Sequence, residues 1–569
     1  MNRAVSSPAP AATPLRSPAT VMRLDRMGSS FQTRLSFMRA LLRRMGRENW
    51  RLGLVRADLD DDGFGMAVYE ANTGTRVYSL VAFSRALAPE KRTDRVIAEE
   101  WDASFALIDG RPSEADIARL ADNVPRQEAG RFQPSEIVLC RANKSLRLFD
   151  HVVERLAQGR QPDLTTLASV GYLMRTTAVY GNGKFGIADR DKIADRPELA
   201  GPYRAEMLAV YLVRAFTLDL VEHVARRRAP ERAVALDPQL RRFLGIGNAT
   251  GLGMAPFLHS HPILIHNWFL ARETALARVR ALLHVSVEVE AAFRALLARA
   301  RNHASQWRVA DPIQAARIER LEADLAALAV ELDDKRSWLS RERPWDSLYH
   351  WAESSLSLEG QEALVSLMLE PYPELVDELA ETMAAGDGSR LDPTMTVARL
   401  REIVAVDYAW TRSIDFAQPE RQRKFWYMSE EKLEPRLGDR YAEPGAEREL
   451  PLAVARDLQA LALALGEADP RATAAALALA RPDLRHILRR VQTVARHPYG
   501  EIRDNLVDAA VRPIDLLRCK LAFFGAAKFD PRSDLWTRIT MYQGAPLPDE
   551  LGRVGADDWN FAVTPDLST

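Results

Sequence analysis

The segment WRLGLVRADLDDDGFGMAVYEANTGTRVYSLVAFS, residues 50–84, decides the fold class of the N-terminal half. Apolar side chains rich in Val, Tyr, Phe and Trp alternate or run together over residues 50–58, 63–70 and 75–84, and again over residues 95–109. The intervening DLDDDG and ANTG contain the Asp, Asn and Gly that hairpin turns favour, because these residues tolerate positive φ. We therefore predict an antiparallel meander of four strands whose acidic run serves a turn; a metal-binding carboxylate box is the alternative.

The remainder of the chain has the apolar spacing of helices, from about residue 112 to about residue 526. One segment follows 3,4,3,4 spacing through Ile318, Leu321, Leu325, Leu328 and Leu332, and residues 262–306 before it are also helical in pattern. A break near Asp311-Pro312 would join two long helices into an antiparallel hairpin. The predicted fold class is α+β, with a small N-terminal antiparallel β-meander packed on a large, predominantly α-helical body.

The domain organisation follows from length and from breaks in the pattern. A chain of 569 residues suits two to four domains. Its N-terminus is rich in Ala, Pro and Ser, which favours a flexible tail over the alternative of a transit peptide. We predict a flexible tail (1–28), an α+β domain with the sheet (29–150), a helical domain with Gly-rich loops and the long hairpin (151–385), and a C-terminal helical domain with an extended arm (386–569).

Composition excludes several functional classes. The 77 basic and 78 acidic residues give a formal charge of -1, which argues against a dedicated nucleic-acid-binding protein. No apolar run reaches the roughly 18 residues of a membrane-spanning helix. The two cysteines, Cys140 and Cys519, each in a predicted helix and without metal-type spacing, fit a reducing compartment. We expect a soluble cytoplasmic protein whose partners are neither nucleic acid nor membrane.

Two glycine-rich segments predict a ligand site: GYLMRTTAVYGNGKFGI, residues 171–187, and FLGIGNATGLGMAPFLHSHPILIHNWFLARE, residues 243–273. Glycine amides beside a cation are a common way to hold phosphate or carboxylate groups. The first segment departs from the P-loop spacing, and the second lacks the preceding strand of a dinucleotide-binding fold. We predict that loops 175–186 and 245–272 meet in one cleft; ordinary helix-ending loops are the alternative.

The candidate residues of this cleft are assigned by chemistry. Amide, hydroxyl and guanidinium groups would bind the substrate: Arg175, Asn182, Asn248, Thr250, Asn267 and Arg272. Groups able to move protons or stabilise charge are the catalytic candidates: Tyr180, Lys184, His259, His261 and His497. His497 has a capping role as its alternative.

The H-x-H-x4-H spacing of His259, His261 and His266, with Glu273 seven residues later, permits a divalent metal site. An ordinary helix N-terminus explains the same residues, so no metal ligand is assigned and the cofactor is unknown. A separate stretch, residues 421–440, places Lys424 and Arg436 among aromatic residues, which suits an anionic ring; a solvated charged turn is its alternative.

Together these features predict a cytosolic metabolic enzyme, a lyase or isomerase using acid–base chemistry on a small carboxylate- or phosphate-bearing substrate. The sequence contains no G-x-S-x-G, no H-E-x-x-H and no cysteine beside a likely activating histidine, so covalent serine or cysteine chemistry has no support. One alternative is a non-catalytic helical scaffold, a homodimer formed through the hairpin of residues 262–340. Another is an oxidoreductase with an atypical nucleotide-binding loop.

Overall fold

The computed structural model describes residues 13–92, 100–123, 133–179, 195–251, 261–334, 336–383, 390–415, 417, 424–428, 435–439, 450–451, 454–503, 513–531 and 536–567. Its strands are β1 (Arg51–Leu59), β2 (Gly65–Asn72), β3 (Val77–Ser84), β4 (Ala103–Asp109), β5 (Glu136–Lys144), β6 (Tyr172–Thr176), β7 (Gly245–Gly251), β8 (Lys424–Met428), β9 (Pro435–Asp439), β10 (Leu450–Pro451), β11 (Lys528–Pro531) and β12 (Trp536–Met541).

Nine of these strands form one sheet in the order β1-β2-β3-β4-β5-β6-β7-β12-β11. The first six are an antiparallel meander, β7 joins β6 in parallel, and β12 pairs antiparallel with β7. The four predicted strands are confirmed, and the sheet continues well beyond residue 150. The other three strands form a small sheet in the order β10-β8-β9.

The described residues also form nineteen α-helices, which confirms the α+β class. They are α1 (Pro18–Val21), α2 (Leu24–Gly28), α3 (Phe37–Arg47), α4 (Glu114–Asn123), α5 (Phe149–Ala157), α6 (Leu164–Val170), α7 (Arg204–Arg228), α8 (Pro238–Phe243), α9 (Pro262–Arg280), α10 (Val287–Gln306), α11 (Pro312–Asp334), α12 (Pro344–Ser355), α13 (Leu358–Leu369), α14 (Pro373–Val376), α15 (Val397–Asp407), α16 (Val454–Glu467), α17 (Ala474–Ala480), α18 (Arg485–Arg496) and α19 (Pro513–Phe524).

The long helix α7 packs on one face of the sheet. It is apolar around most of its circumference, as expected for a helix buried in the middle of a protein. Phe216 packs against Phe105 with ring centroids 5.5 Å apart, and the Tyr69 hydroxyl donates to the Asp219 carboxylate at 2.7 Å. Helix α4 covers the opposite face through Leu120.

The predicted hairpin joins α10 and α11, but its first helix is shorter than expected, because residues 262–306 divide into α9 and α10 at residues 281–286. Arg294 near the start of α10 contacts Asp333 at the end of α11, with 2.7 Å between Nη1 and Oδ1, as an antiparallel pair requires. A second apolar core lies among α15, α16, α17 and α18 in the C-terminal region. In the described chain, no helix combines the length and the apolar character needed to cross a membrane.

Three local predictions are wrong. Residues 13–28, expected in a flexible tail, fold into α1 and α2, with Met22, Leu24 and Met27 completely buried. Cys140 lies in β5 rather than a helix, because residues 136–144 are buried on both faces and lose the alternation of a half-exposed strand. Residues 245–251 form β7 rather than a loop, although they carry three glycines.

Candidate functional site

The main candidate site is a cleft of about 650 Å³ at the β6 and β12 side of the sheet. Its walls come from α6, from β6 and β12, and from the link that joins α10 to α11. We call it the arginine cleft because Arg147, Arg308 and Arg538 line it. The aromatic residues Tyr172 and Trp307 are also part of its wall.

Local structure places each arginine at the cleft. Arg147 lies in the short connection between β5 and α5 and is exposed. Arg308 follows the end of α10 and donates from Nη1 to the carbonyl oxygens of Ser305 and Trp307, at 2.7 and 2.9 Å. Arg538 lies in the middle of β12, opposite Ala249 of β7.

The described lining of the arginine cleft carries positively charged side chains and no negatively charged ones. Among the described residues, its lining contains three arginines and neither Asp nor Glu. Arg147 makes no ion pair with any described residue, and Arg308 is held by carbonyl oxygens that do not cancel its charge. Cationic groups without local carboxylates create a positive potential that concentrates anions.

Glycine in β7 shapes one wall of the cleft. A Cβ on Gly247 would lie 2.6 Å from Cδ2 of Tyr172, closer than real Cβ contacts. The glycine therefore allows the Tyr172 ring to lie against the neighbouring strand. This close approach is between two parts of the protein, which corrects the expectation that glycines at 245–251 form a loop around a ligand.

Four predicted site residues lie outside the described part of the chain, and three others lie in strands. Tyr180, Asn182, Lys184 and His259 lie outside the described residues, so the expected meeting of the two loops stays a prediction. Thr250 lies in β7, Lys424 in β8 and Arg436 in β9.

Two predicted substrate-binding residues are neighbours. Arg175 in β6 pairs in register with Gly247 of β7, so Asn248 is one position from its partner. Both Arg175 and Asn248 are buried within the sheet, at 6% and 1% exposure. Asn267 is half-buried in α9. Arg175 and Asn248 are thus close in the sheet backbone, but successive residues of a strand project to opposite faces, so their side chains do not share a face. Neither residue lines the arginine cleft.

Arg272 is not in a cleft, which corrects its predicted role. It is fully buried and pairs with Glu362, while its neighbour Glu273 accepts two hydrogen bonds from Arg16, both at 2.7 Å. We call Arg16, Arg26, Arg272, Glu273 and Glu362 the strap cluster, because two of its arginines come from an N-terminal strap, residues 13–36. Burial alone would raise the pKa of Glu362, but Arg16, Arg272 and Arg26 hold it well below its usual range.

Two of the predicted histidines lie at α9, one before the helix and one inside it. His261 immediately precedes α9, whereas His266 is buried within it, with its ring centroid 5.0 Å from that of His497. The backbone N–H of Tyr499 donates to Nδ1 of His266 at 3.1 Å, so the neutral ring carries its proton on Nε2. Burial, with a contribution from His497, lowers the pKa of His266 to about 4.

The contacts of Glu273 and His266 do not support the metal site that the histidine spacing permits. Both carboxylate oxygens of Glu273 accept hydrogen bonds from Arg16, and the Nδ1 of His266 is occupied by the backbone of Tyr499. In the part of the chain that the structure describes, no three His, Cys, Asp or Glu side chains are grouped to hold a metal ion.

Comparison with known proteins gives no relative from which to transfer a role. No protein-family model matches the chain, and no curated protein or solved structure matches it. The candidate site therefore depends on geometry. Sequence reasoning missed Arg147, Arg308 and Arg538 because they come from three distant segments, and none stands in a distinctive motif.

Proposed function

We propose that this is a cytoplasmic protein that binds a small carboxylate- or phosphate-bearing molecule in the arginine cleft. The observation that carries the proposal is that Arg147 and Arg308, which form no ion pair with described residues, lie on a lining that holds neither Asp nor Glu among the described residues. Guanidinium groups bind carboxylates and phosphates through paired, charge-assisted hydrogen bonds. A volume of about 650 Å³ also lies in the usual range of small-molecule sites.

The wall chemistry suggests a ligand with a flat or apolar part beside its anionic group. Tyr172 and Trp307 offer aromatic surface, and Thr540 offers a hydroxyl. The described lining holds no His, Cys, Lys, Asp or Glu that could transfer a proton to or from this ligand near neutral pH. Lyase or isomerase chemistry therefore stays a prediction.

A ligand screen by thermal unfolding tests the proposal. Citrate, inorganic phosphate, pyruvate, ATP and NADPH would each be added to the purified chain, and the melting temperature would be recorded. A ligand present at 100 times its Kd stabilises the native state by about 2.7 kcal/mol. We expect at least one anion to raise the melting temperature, with a smaller effect at high ionic strength.

Two variants test whether the rise in melting temperature comes from binding in the arginine cleft. The double variant Arg147→Gln/Arg308→Gln should lose it, whereas Arg485→Gln, an exposed arginine of α18, should retain it. An unchanged shift in the double variant would place the ligand elsewhere. If no ligand changes the melting temperature, and the protein is a stable dimer that dissociates when the α10–α11 hairpin is mutated, the scaffold alternative would be favoured. A rise in melting temperature with NADPH alone would favour the oxidoreductase.

A further inference from the structure

Lys144, at the end of β5, has an unusual environment for a lysine. The residue is 7% exposed, and its Nζ lies 4.6 Å from the ring centroid of Phe149 and 5.4 Å from that of Phe64. Only nine of the 77 basic residues of the chain are lysines. One of the few lysine side chains of this arginine-rich protein thus lies between two aromatic rings.

A buried carboxylate close to Lys144, that of Asp102, bonds to its backbone rather than to its amine. Its Oδ2 accepts the backbone N–H of Lys144 at 2.9 Å, and its Oδ1 lies 3.4 Å from Nε of Arg92. Within the described residues, no carboxylate oxygen forms an ion pair with Nζ of Lys144. The aromatic faces are thus the main partners of this amine, and they compensate a positive charge less well than water or a carboxylate does.

This environment favours the neutral amine. Burial lowers the pKa of Lys144, and Arg92 and Arg228 act in the same direction against the opposing charges of Asp102 and Asp150. Burial also raises the pKa of Asp102, which weakens its ability to hold Lys144 charged. Lowering the pKa of a lysine increases the fraction of neutral, nucleophilic amine at a given pH, and apolar surroundings next to other cations are a recognised way to achieve this.

We propose that Lys144 is a nucleophilic lysine that condenses with the carbonyl carbon of a small aldehyde, ketone or keto acid. The amine nitrogen attacks the carbonyl carbon, both of its protons pass to the carbonyl oxygen, and that oxygen leaves as water. The product is an imine between Nζ and the former carbonyl carbon.

Side chains around this amine reach the surface. Phe64, on the turn between β1 and β2, is half-buried, and the side chain of Asp150 is 56% exposed. Since Lys144 itself is only 7% exposed, a compact carbonyl compound suits this position better than a polymer does.

Reductive trapping tests the proposal. The full-length protein would be incubated with glyoxylate or pyridoxal 5′-phosphate and sodium cyanoborohydride between pH 6 and pH 9, and the modified lysines would be quantified by peptide mass spectrometry. At pH 7 we expect Lys144 to be labelled several-fold faster than Lys91, whose side chain is 52% exposed, because a lowered pKa leaves a larger fraction of the amine unprotonated.

Variants separate reactivity from folding. Lys91→Arg should leave the Lys144 adduct unchanged, and Asp102→Asn should increase labelling at pH 7 by removing a charge that favours the ammonium. Circular dichroism would establish that each variant is folded. Labelling of Lys144 that is no faster than that of Lys91, or that requires urea, would overturn the proposal even if the arginine cleft binds anions as expected.

Discussion

The strap cluster and the arginine cleft use the same residue type in opposite ways. In the strap cluster, Arg16 and Arg272 are buried and contact Glu273 and Glu362 directly. In the arginine cleft, three arginines line a cavity without Asp or Glu among its described residues. Arginine matched by carboxylates fixes one segment of the fold against another, whereas a cleft arginine that has no ion pair with described residues, such as Arg147, is available to a ligand. Burial and pairing, rather than residue type, distinguish the two roles.

The largest expected effect is on the strap cluster. Glu362→Gln removes a buried carboxylate that Arg16, Arg26 and Arg272 share, and breaking such a network costs about 3–5 kcal/mol. Urea unfolding would measure the loss in the free energy of unfolding. The control Glu378→Gln removes an exposed carboxylate that pairs with Arg278, and should change stability by less than about 1 kcal/mol. Equal stability of the two variants would show that the strap cluster does not hold the strap.

A second, smaller effect is expected at the wall of the arginine cleft. In Gly247→Ala the new methyl would meet the ring of Tyr172, and overpacking of this kind costs about 1–3 kcal/mol. The matched control is Gly53→Ala in the edge strand β1, where no atom lies within 4 Å of the added Cβ. Thermal unfolding should separate the two variants; if Gly53→Ala were the more damaging, the packing argument would be wrong.

The pH dependence of stability tests the histidine pair. His266 has a pKa near 4 in the folded protein, against about 6.5 for an unperturbed histidine, so the unfolded chain binds more protons between these values. Stability should therefore fall as the pH drops from about 6.5 towards 4. His266→Gln keeps an acceptor for the Tyr499 amide but cannot titrate, and its stability should fall less over this window. Parallel curves for the two proteins would contradict the assignment.

The smallest expected effect on stability is in the arginine cleft itself. Arg147→Gln changes an exposed side chain that has no ion pair with described residues, so its free energy of unfolding should stay within about 0.5 kcal/mol of wild type. Its binding of anions should nevertheless weaken. A large loss of stability in the absence of ligand would show that Arg147 has a structural role, and the contrast with the strap cluster would fail.

Local signals explain what could be predicted from sequence. The β1–β4 meander has turn residues between alternating strands, and the hairpin of α10 and α11 has regular apolar spacing. By contrast, β5 is buried on both faces and β7 consists largely of small residues, so neither has the usual pattern of a strand.

The candidate site was less predictable, because its charge balance depends on tertiary contacts. Arg272 stood out as a guanidinium in an apolar helix, but the partners that explain it are Glu273, beside it in the chain, and Glu362, 90 residues away. Arg308 had no local signal, and its place beside β6 and β12 depends on how the α10–α11 hairpin packs. Lys144 also looked ordinary in sequence, since its two aromatic neighbours come from separate elements.

The most direct test of the account is calorimetric titration of citrate, inorganic phosphate and ATP into the wild-type protein and into Arg147→Gln/Arg308→Gln. We predict saturable binding of at least one of these anions to the wild type and an affinity at least tenfold lower in the double variant, with both proteins equally stable before ligand is added. Equal affinity in the two proteins, or no binding to the wild type, would contradict the assignment of the arginine cleft as an anion site.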